Sequence, residues 1–174
     1  MNNNYIVDIS SLDKKYTLDN NQSIEIIKDL DFKLKLNSKV SITGPSGSGK
    51  TTFLNIIGLL DKNFDGEYLF NGKSVESFSS NEINKIRGLS IGFIHQFFHL
   101  IPELSVIENV MLPILINKNE NNSYNIAKKI LFEFGLDDRI NYKPLNLSGG
   151  EQQRVAIARS MVNNPDIILA DEMT

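Results

Sequence analysis

An α/β fold with a mostly parallel central sheet, an antiparallel β arm and an inserted helical subdomain is predicted by three observations. Short apolar runs of strand character alternate with helical patterns along the 174 residues. A glycine-rich stretch, Gly44 to Thr51 (GPSGSGKT), joins one such strand to one such helix. A mostly helical texture then fills the interval from Gln96 to Asn164, before an apolar run at Asp166 to Ala170 that ends in Asp171 and Glu172.

Taken in order, Tyr5 to Ile9 alternates around Asp8 and reads as a short strand. Leu30, Phe32, Leu34 and Leu36 alternate with polar residues, the period of a half-buried strand. Lys39 to Thr43 (KVSIT) reads as the strand feeding the glycine loop, and Thr52 to Leu60 as the apolar helix leaving it. Tyr68 to Phe70 and Lys73 to Val75 flank Asn71-Gly72, the signal of a tight hairpin. Ser90 to His95 is a further strand. Pro102 and Pro113 bracket a short helix around Val106 to Met111, and a polar loop covers Asn117 to Asn122. Ser123 is placed to cap a helix with the apolar face Ile126, Ala127, Ile130, Leu131 and Phe134, and Gly135 lies just past its end. The last helix runs from Ser148 to about Val162 and stops at Asn163-Asn164-Pro165. With no internal repeat or low-complexity linker, the chain reads as one domain. Residues 1–95 and 165–174 form the α/β core with its β arm, and residues 96–164 the helical subdomain.

Composition narrows the function. A hydrophobic content of 41% can fill a core, and 22% charged residues suits a polar surface. The net charge of −3 gives no electrostatic reason to expect a nucleic acid partner. Without cysteine, disulfides, thiolate catalysis and cysteine-ligated zinc are excluded. The opening MNNNYIVDIS lacks the basic and apolar regions of a secretory signal. No run approaches the roughly 18 apolar residues that span a bilayer, so work at a membrane would need other chains as anchors.

Three runs carry chemistry. Gly44 to Thr51 fits G-x-x-x-x-G-K-[ST], the loop that wraps phosphates. Gly44, Gly47 and Gly49 are expected to take left-handed angles and turn N–H groups inward as an anion nest. Lys50 would reach the outer phosphates and the Thr51 hydroxyl would ligate Mg²⁺. The structural alternative is a plain glycine turn. In the run Ile167 to Glu172, an apolar strand ends in two adjacent carboxylates, which are costly to bury without a cation. Asp171 is suited to hold Mg²⁺ through water, and Glu172 to polarise the attacking water as general base. An ordinary solvent-facing acidic turn is the alternative. In Leu147 to Arg154, Ser148 and Glu151 form an S-x-x-E capping box. Capping does not explain Gly149-Gly150, which weaken a first turn by about 1 kcal/mol each. Two glycines there make sense where a phosphate must approach a helix start.

The order of these runs, with LSGGEQQ (Leu147 to Gln153) after the glycine loop and just before LADE (Leu169 to Glu172), resembles the nucleotide-binding subunits of ATP-binding cassette (ABC) transporters, which are P-loop NTPases. FIHQFFHLIPELSVIENV (Phe93 to Val110) is similar to the family's Q-loop and permease-receiving segment. With VNNPDIILADE (Val162 to Glu172) it is most similar to the lipoprotein-releasing and macrolide-exporter branch. The resemblance implies ATP and Mg²⁺ as ligands. Gly44, Pro45, Ser46, Gly47, Ser48, Gly49, Lys50, Thr51 and Thr52 would hold the nucleotide, and Thr51, Gln96 and Asp171 the metal. Glu172, Gln96 and Lys50 would be catalytic. Tyr16 would stack on adenine, the alternative being a core or surface tyrosine. Ser148, Gly149 and Gly150 would close over ATP held by the opposite subunit, making a homodimer or equivalent cassette dimer necessary for turnover. An integral membrane permease would be the further partner. The chain would sit peripherally on the cytoplasmic side of the inner (plasma) membrane and power export or membrane extraction, with lipoprotein release expected. His95 and His99 are read as ordinary neighbours of Gln96.

The family pattern also implies Pro-Thr after LADE, an Asp-containing turn, further sheet strands and a histidine on the γ-phosphate. Here Met173 follows Glu172, and both histidines lie beside Gln96. The expectation is a C-terminally truncated cassette in which strands flanking the glycine loop are missing and hydrolysis is slow or absent. A nucleotide-binding module without productive hydrolysis is the alternative.

Overall fold

The computed structural model describes residues 4–17, 22–117 and 122–171. The chain divides into two compact units, Met1–Ile83 and Asn84–Thr174.

In the first unit, β1 (Tyr5–Thr17), β2 (Ser23–Lys35), β3 (Asp65–Phe70) and β4 (Lys73–Ser74) form an antiparallel sheet in the order β2-β1-β3-β4. β1 is longer than the alternation around Asp8 predicts. Its inward positions are Val7 and Ile9, then Leu12 and Lys14. The phase switches across an irregular pairing between Ile9 and Leu12, where Ser11 takes φ +49°, so simple alternation stops at Ile9. Gly66 answers that irregularity from β3: at φ +105° it lies so close that a Cβ would collide with the Ser11 carbonyl oxygen. The β3–β4 hairpin turns on Asn71 and Gly72, both at positive φ, as their dipeptide predicts. α1 (Lys50–Ile57) buries Phe53, Leu54, Ile56 and Ile57. Phe53 meets Phe32 of β2 edge-on at 5.1 Å, and the buried Tyr68 hydroxyl donates to the Ile57 carbonyl at 2.8 Å.

Lys39 to Thr43 does not form the expected strand. A strand is held by backbone hydrogen bonds to a neighbour, and no described strand pairs with this segment; Val40 is left 54% exposed.

Lys14 is a cation in the interior, 2% exposed. It pairs with Asp61 at 2.8 Å and donates to the Asn63 carbonyl, tying β1 to the loop after α1. Burial by itself would raise the Asp61 carboxyl; hydrogen bonds from Lys14 and the Asn63 N–H outweigh it and hold the group below its usual range.

α2 (Ser80–Leu89) contains the division between the units. The second unit continues with β5 (Ile91–Ile94), α3 (Val106–Ile116), α4 (Ser123–Glu133), α5 (Gly149–Met161) and β6 (Ile167–Ala170). β5 and β6 pair in parallel from Ile91–Ile167 to Ile94–Ala170. Val106, Val110, Ala127, Leu131, Leu147 and Val155 lie in the core that joins the three helices. α3 does not stop at Pro113 but runs on to Ile116. An interior proline costs about 3 kcal/mol. Val110 and Ile114, on either side of it, are fully or almost fully buried, and each such side chain contributes about 1.5–3 kcal/mol. Ser123 is not the cap of α4. It is buried in the first turn, and Asn122, at φ +87°, occupies the cap position without a side-chain cap bond. Gly135 follows the helix at φ +64°, as expected.

Three helices start on the same device. Ser79 and Glu82, Ser105 and Glu108, and Ser148 and Glu151 each exchange side-chain and backbone hydrogen bonds as a capping box. In each, the serine hydroxyl first and the serine N–H second hold the glutamate below its usual pKa. The folded pKa is depressed, so this stabilisation is present above the unfolded glutamate value of about 4.3 and is lost as pH falls through the folded one.

Two outcomes follow for stability. Asp61→Ala strands a buried ammonium and is expected to cost about 3–5 kcal/mol in urea unfolding, whereas Lys14→Met, which removes the charge itself, costs less. Equal losses would show that the pair is not the reason for the burial. A Glu82→Gln, Glu108→Gln, Glu151→Gln triple variant should trail the wild type at pH 7, with the gap narrowing below about pH 4.3. A gap independent of pH would remove the charge from the explanation.

Candidate functional site

The glycine loop lies in the first unit between the unpaired segment and α1. Gly47 and Gly49 adopt φ +78° and +88°, a region where L side chains are strained. Gly49 is doubly constrained, because a Cβ there would stand 2.9 Å from the Ile26 side chain of β2. Gly44 does not take the expected left-handed angle, and a Cβ there would meet only the Ser48 side chain, whose Oγ, at 2.7 Å, can rotate away. Lys50 Nζ donates to the carbonyls of Gly44 at 3.0 Å and Pro45 at 2.9 Å, so its charge is drawn into the curl of the loop. Pro45, Ser46, Ser48 and Thr51 are exposed, and Thr52 is half-buried on the first turn. No side chain caps α1 and no acidic residue sits in its first turn. A helix start left so, beside a lysine, favours an anion.

Tyr16 sits near the end of β1 and is 44% exposed. Lys14 Nζ lies 4.7 Å from its ring centroid, and its hydroxyl donates to Asp61 at 3.4 Å. The buried ion pair therefore also orients this ring.

In the second unit the parallel pair supplies a second group of residues. Past Ile94 and Ala170 the strands deliver His95-Gln96 and Asp171 to the same end, and the Asp171 N–H donates to the Ile94 carbonyl at 2.9 Å. The carboxyl ends of parallel strands are where α/β sheets bind ligands. Gln96 is exposed and Asp171 half-buried; Glu172 lies outside the described residues. His95 stacks on Phe93 at 4.2 Å and tilts against His99 at 4.8 Å. Burial first, then His99 and Arg159, hold its imidazole below the usual value against the pull of Asp171.

The third group is the start of α5. Leu147 is buried and anchors the turn, which leaves Ser148, Gly149 and Gly150 exposed. Glu151 is engaged by Ser148 and paired with Arg139 at 3.2 Å, and Gln152 donates to the carbonyls of Pro144 and Leu147. A Cβ on Gly149 would meet nothing within 4 Å, and on Gly150 only Arg154 Nη1 at 3.9 Å. Packing among the described residues therefore does not require either glycine.

Two residues that pattern reading passes over also shape the site. Asn109, fully buried on α3, exchanges hydrogen bonds with the Ile101 backbone and donates to the Leu104 and Ser105 carbonyls. Arg159 on α5 donates to the Phe98 and His99 carbonyls, both at 2.7 Å. The polar Asn109 within the apolar run of α3 is a visible signal; Arg159 has none, since one arginine in a helix reads as surface.

The ABC transporter family model matches residues 27–174. The lipoprotein-releasing system ATP-binding protein LolD of Francisella tularensis subsp. holarctica (strain OSU18) is 47% identical over 174 residues, covering 99% of this chain and 75% of that protein. LolD of Buchnera aphidicola subsp. Acyrthosiphon pisum is 44% identical over 173 residues, with the same shares. Among solved structures, the dimeric bacterial ABC transporter cassette MJ0796 superposes with a TM-score of 0.86 at 41% identity, covering 95% of this chain and 73% of that one. The same cassette in a post-hydrolysis state bound to ADP and Pi matches at a TM-score of 0.86 and 42% identity. Sequence, motif order and backbone agree: the chain belongs to the ABC transporter family and has the P-loop NTPase fold of its ATP-binding cassettes.

Proposed function

We propose that the chain is the ATP-hydrolysing subunit of a lipoprotein-releasing transporter, working as a pair of cassettes on a membrane permease. The observation that carries this reading is the start of α5. Gly149 and Gly150 are open on a helix N-terminus, where no packing among the described residues requires a glycine. A ligand outside the chain accounts for them, and the dimeric cassette at 41% identity supports a second subunit as its bearer.

In this reading Gly44 to Thr52 hold the phosphates of ATP, with Lys50 exchanging its loop carbonyls for phosphate oxygens, and Tyr16 stacks on adenine. The donor set fits a nucleotide with a hard cation, whose shell would come from Thr51, Gln96 and Asp171. Mg²⁺ there would neutralise charge on the phosphates. Glu172 accepts a proton from the water that attacks the γ-phosphorus, while the bond to the ADP oxygen breaks. Ser148 to Gly150 of one copy close on the nucleotide of the other. Residues 1–95 with 165–174 then act as the catalytic core and 96–164 as the helical part that meets the permease. Phe97, beside Gln96 and 73% exposed, offers the permease an apolar contact. No described helix is long and apolar enough to cross a membrane. In this reading the permease anchors the complex, and the chain sits at the cytoplasmic face of the inner membrane. Lipoprotein release is taken from the LolD relatives.

Lys50→Ala is expected to weaken ATP binding by about 10- to 100-fold in calorimetry, the worth of a hydrogen bond to a charged group. Wild-type affinity in that variant would remove the loop from the site. Gln96→Ala should leave ATP affinity within about twofold of wild type and lower permease-stimulated turnover by about 10- to 100-fold. A variant that simply unfolds would make Gln96 a structural residue.

A further inference from the structure

Between β5 and α3, residues 95–105 form no helix or strand, yet this segment carries Gln96. A loop of this kind must find donors for its carbonyls or leave them to water. Two side chains supply them. Asn109 secures the far part, at Ile101 and Leu104, from within α3. Arg159 secures the near part from α5: Nη2 donates to Phe98 and Nη1 to His99. His99 is held at φ +47°, a conformation that non-glycine residues keep only where the surroundings enforce it.

Arg159 stands on the helix that begins after Ser148. Eleven residues separate the two, about 16 Å along the axis of a rigid α-helix. The near end is fixed by the buried Leu147, the Ser148–Glu151 box and the Arg139–Glu151 pair. The far end grips the loop two residues beyond Gln96. A displacement of the Ser148 end along the helix therefore reaches the loop directly through the Arg159 side chain.

We propose that Arg159 is a positioning residue that makes the Gln96 loop and the α5 helix one mechanical piece, so that engagement at Ser148–Gly150 sets the placement of Gln96. This rests on the roles assigned above to Gln96 and to Ser148–Gly150. The planar fork of arginine spans two successive carbonyls; lysine offers the same charge from a single point and does not. Arg159→Lys thus separates the fork from the charge while keeping the stem.

The test uses the full chain as wild type, Arg159→Lys, Gln96→Ala and the double variant. Amide hydrogen exchange is followed at residues 97–101 and across α3 and α4, and kcat and KM are measured for MgATP with the permease present. Arg159→Lys is expected to speed exchange at residues 97–101 by about tenfold or more while α3 and α4 keep their protection. It should lower kcat by about tenfold with KM within about twofold of wild type. In the Gln96→Ala background the Arg159 substitution should have no further effect on kcat, because both act through the same loop. Unchanged exchange at 97–101, exchange raised equally throughout α3 and α4, or kcat losses that multiply in the double variant would each overturn the proposal. Failure of the underlying nucleotide reading is seen elsewhere: it would show as unaltered ATP affinity in Lys50→Ala, whatever the Arg159 variants do.

Discussion

Lys50 donates to the carbonyls of Gly44 and Pro45, and that contact exists only because Gly47 and Gly49 turn the backbone through angles of +78° and +88°. The same turn leaves α1 without a side-chain cap or an acidic first turn. Cation, helix dipole and backbone N–H groups thus converge within a few residues, and none is neutralised by a neighbouring carboxylate of its own helix. The remainder of the first unit supports this arrangement. Ile26 of β2 packs so closely that only glycine fits at position 49, and Tyr68 and Phe32 fix the helix behind it.

The start of α5 follows a different electrostatic logic. Its first turn carries Glu151, whose carboxylate satisfies Ser148 and is offset by Arg139. A negatively charged ligand arriving here meets a helix dipole already partly used. Such a site suits an anion bound briefly and in combination with other groups, whereas the uncapped α1 suits one held firmly.

Support for Tyr16 and for the Gln96 segment comes from polar contacts whose meaning is tertiary. Lys14 and Asp61 hold Tyr16 from beneath, and Arg159 and Asn109 hold the segment that follows Gln96. Lys14 and Asn109 are buried and meet their charge or carbonyl partners inside the chain, whereas Arg159 is half-buried and ties down carbonyls nearer the surface.

The local chemistry was legible in the residues themselves. The glycine loop, the capping box at Ser148, the Asn71-Gly72 hairpin, the apolar strand that precedes Asp171 and the apolar face of α4 all follow from short-range rules of conformation and period. Legibility ended where long-range contacts decide. KVSIT has strand character but no described strand to pair with; Pro113 is carried inside α3 because burial on both sides outweighs its lost bond; Ser123 is drawn into the core and leaves the cap to Asn122. Neither the burial of Lys14 nor the grip of Arg159 leaves a periodic trace, since each depends on carbonyls dozens of residues away. The sequence by itself determined which groups can meet a phosphate, because that chemistry lies in contiguous residues. Only the tertiary structure decided what holds those groups in place, because a buried hydrogen bond is specified by two distant positions at once.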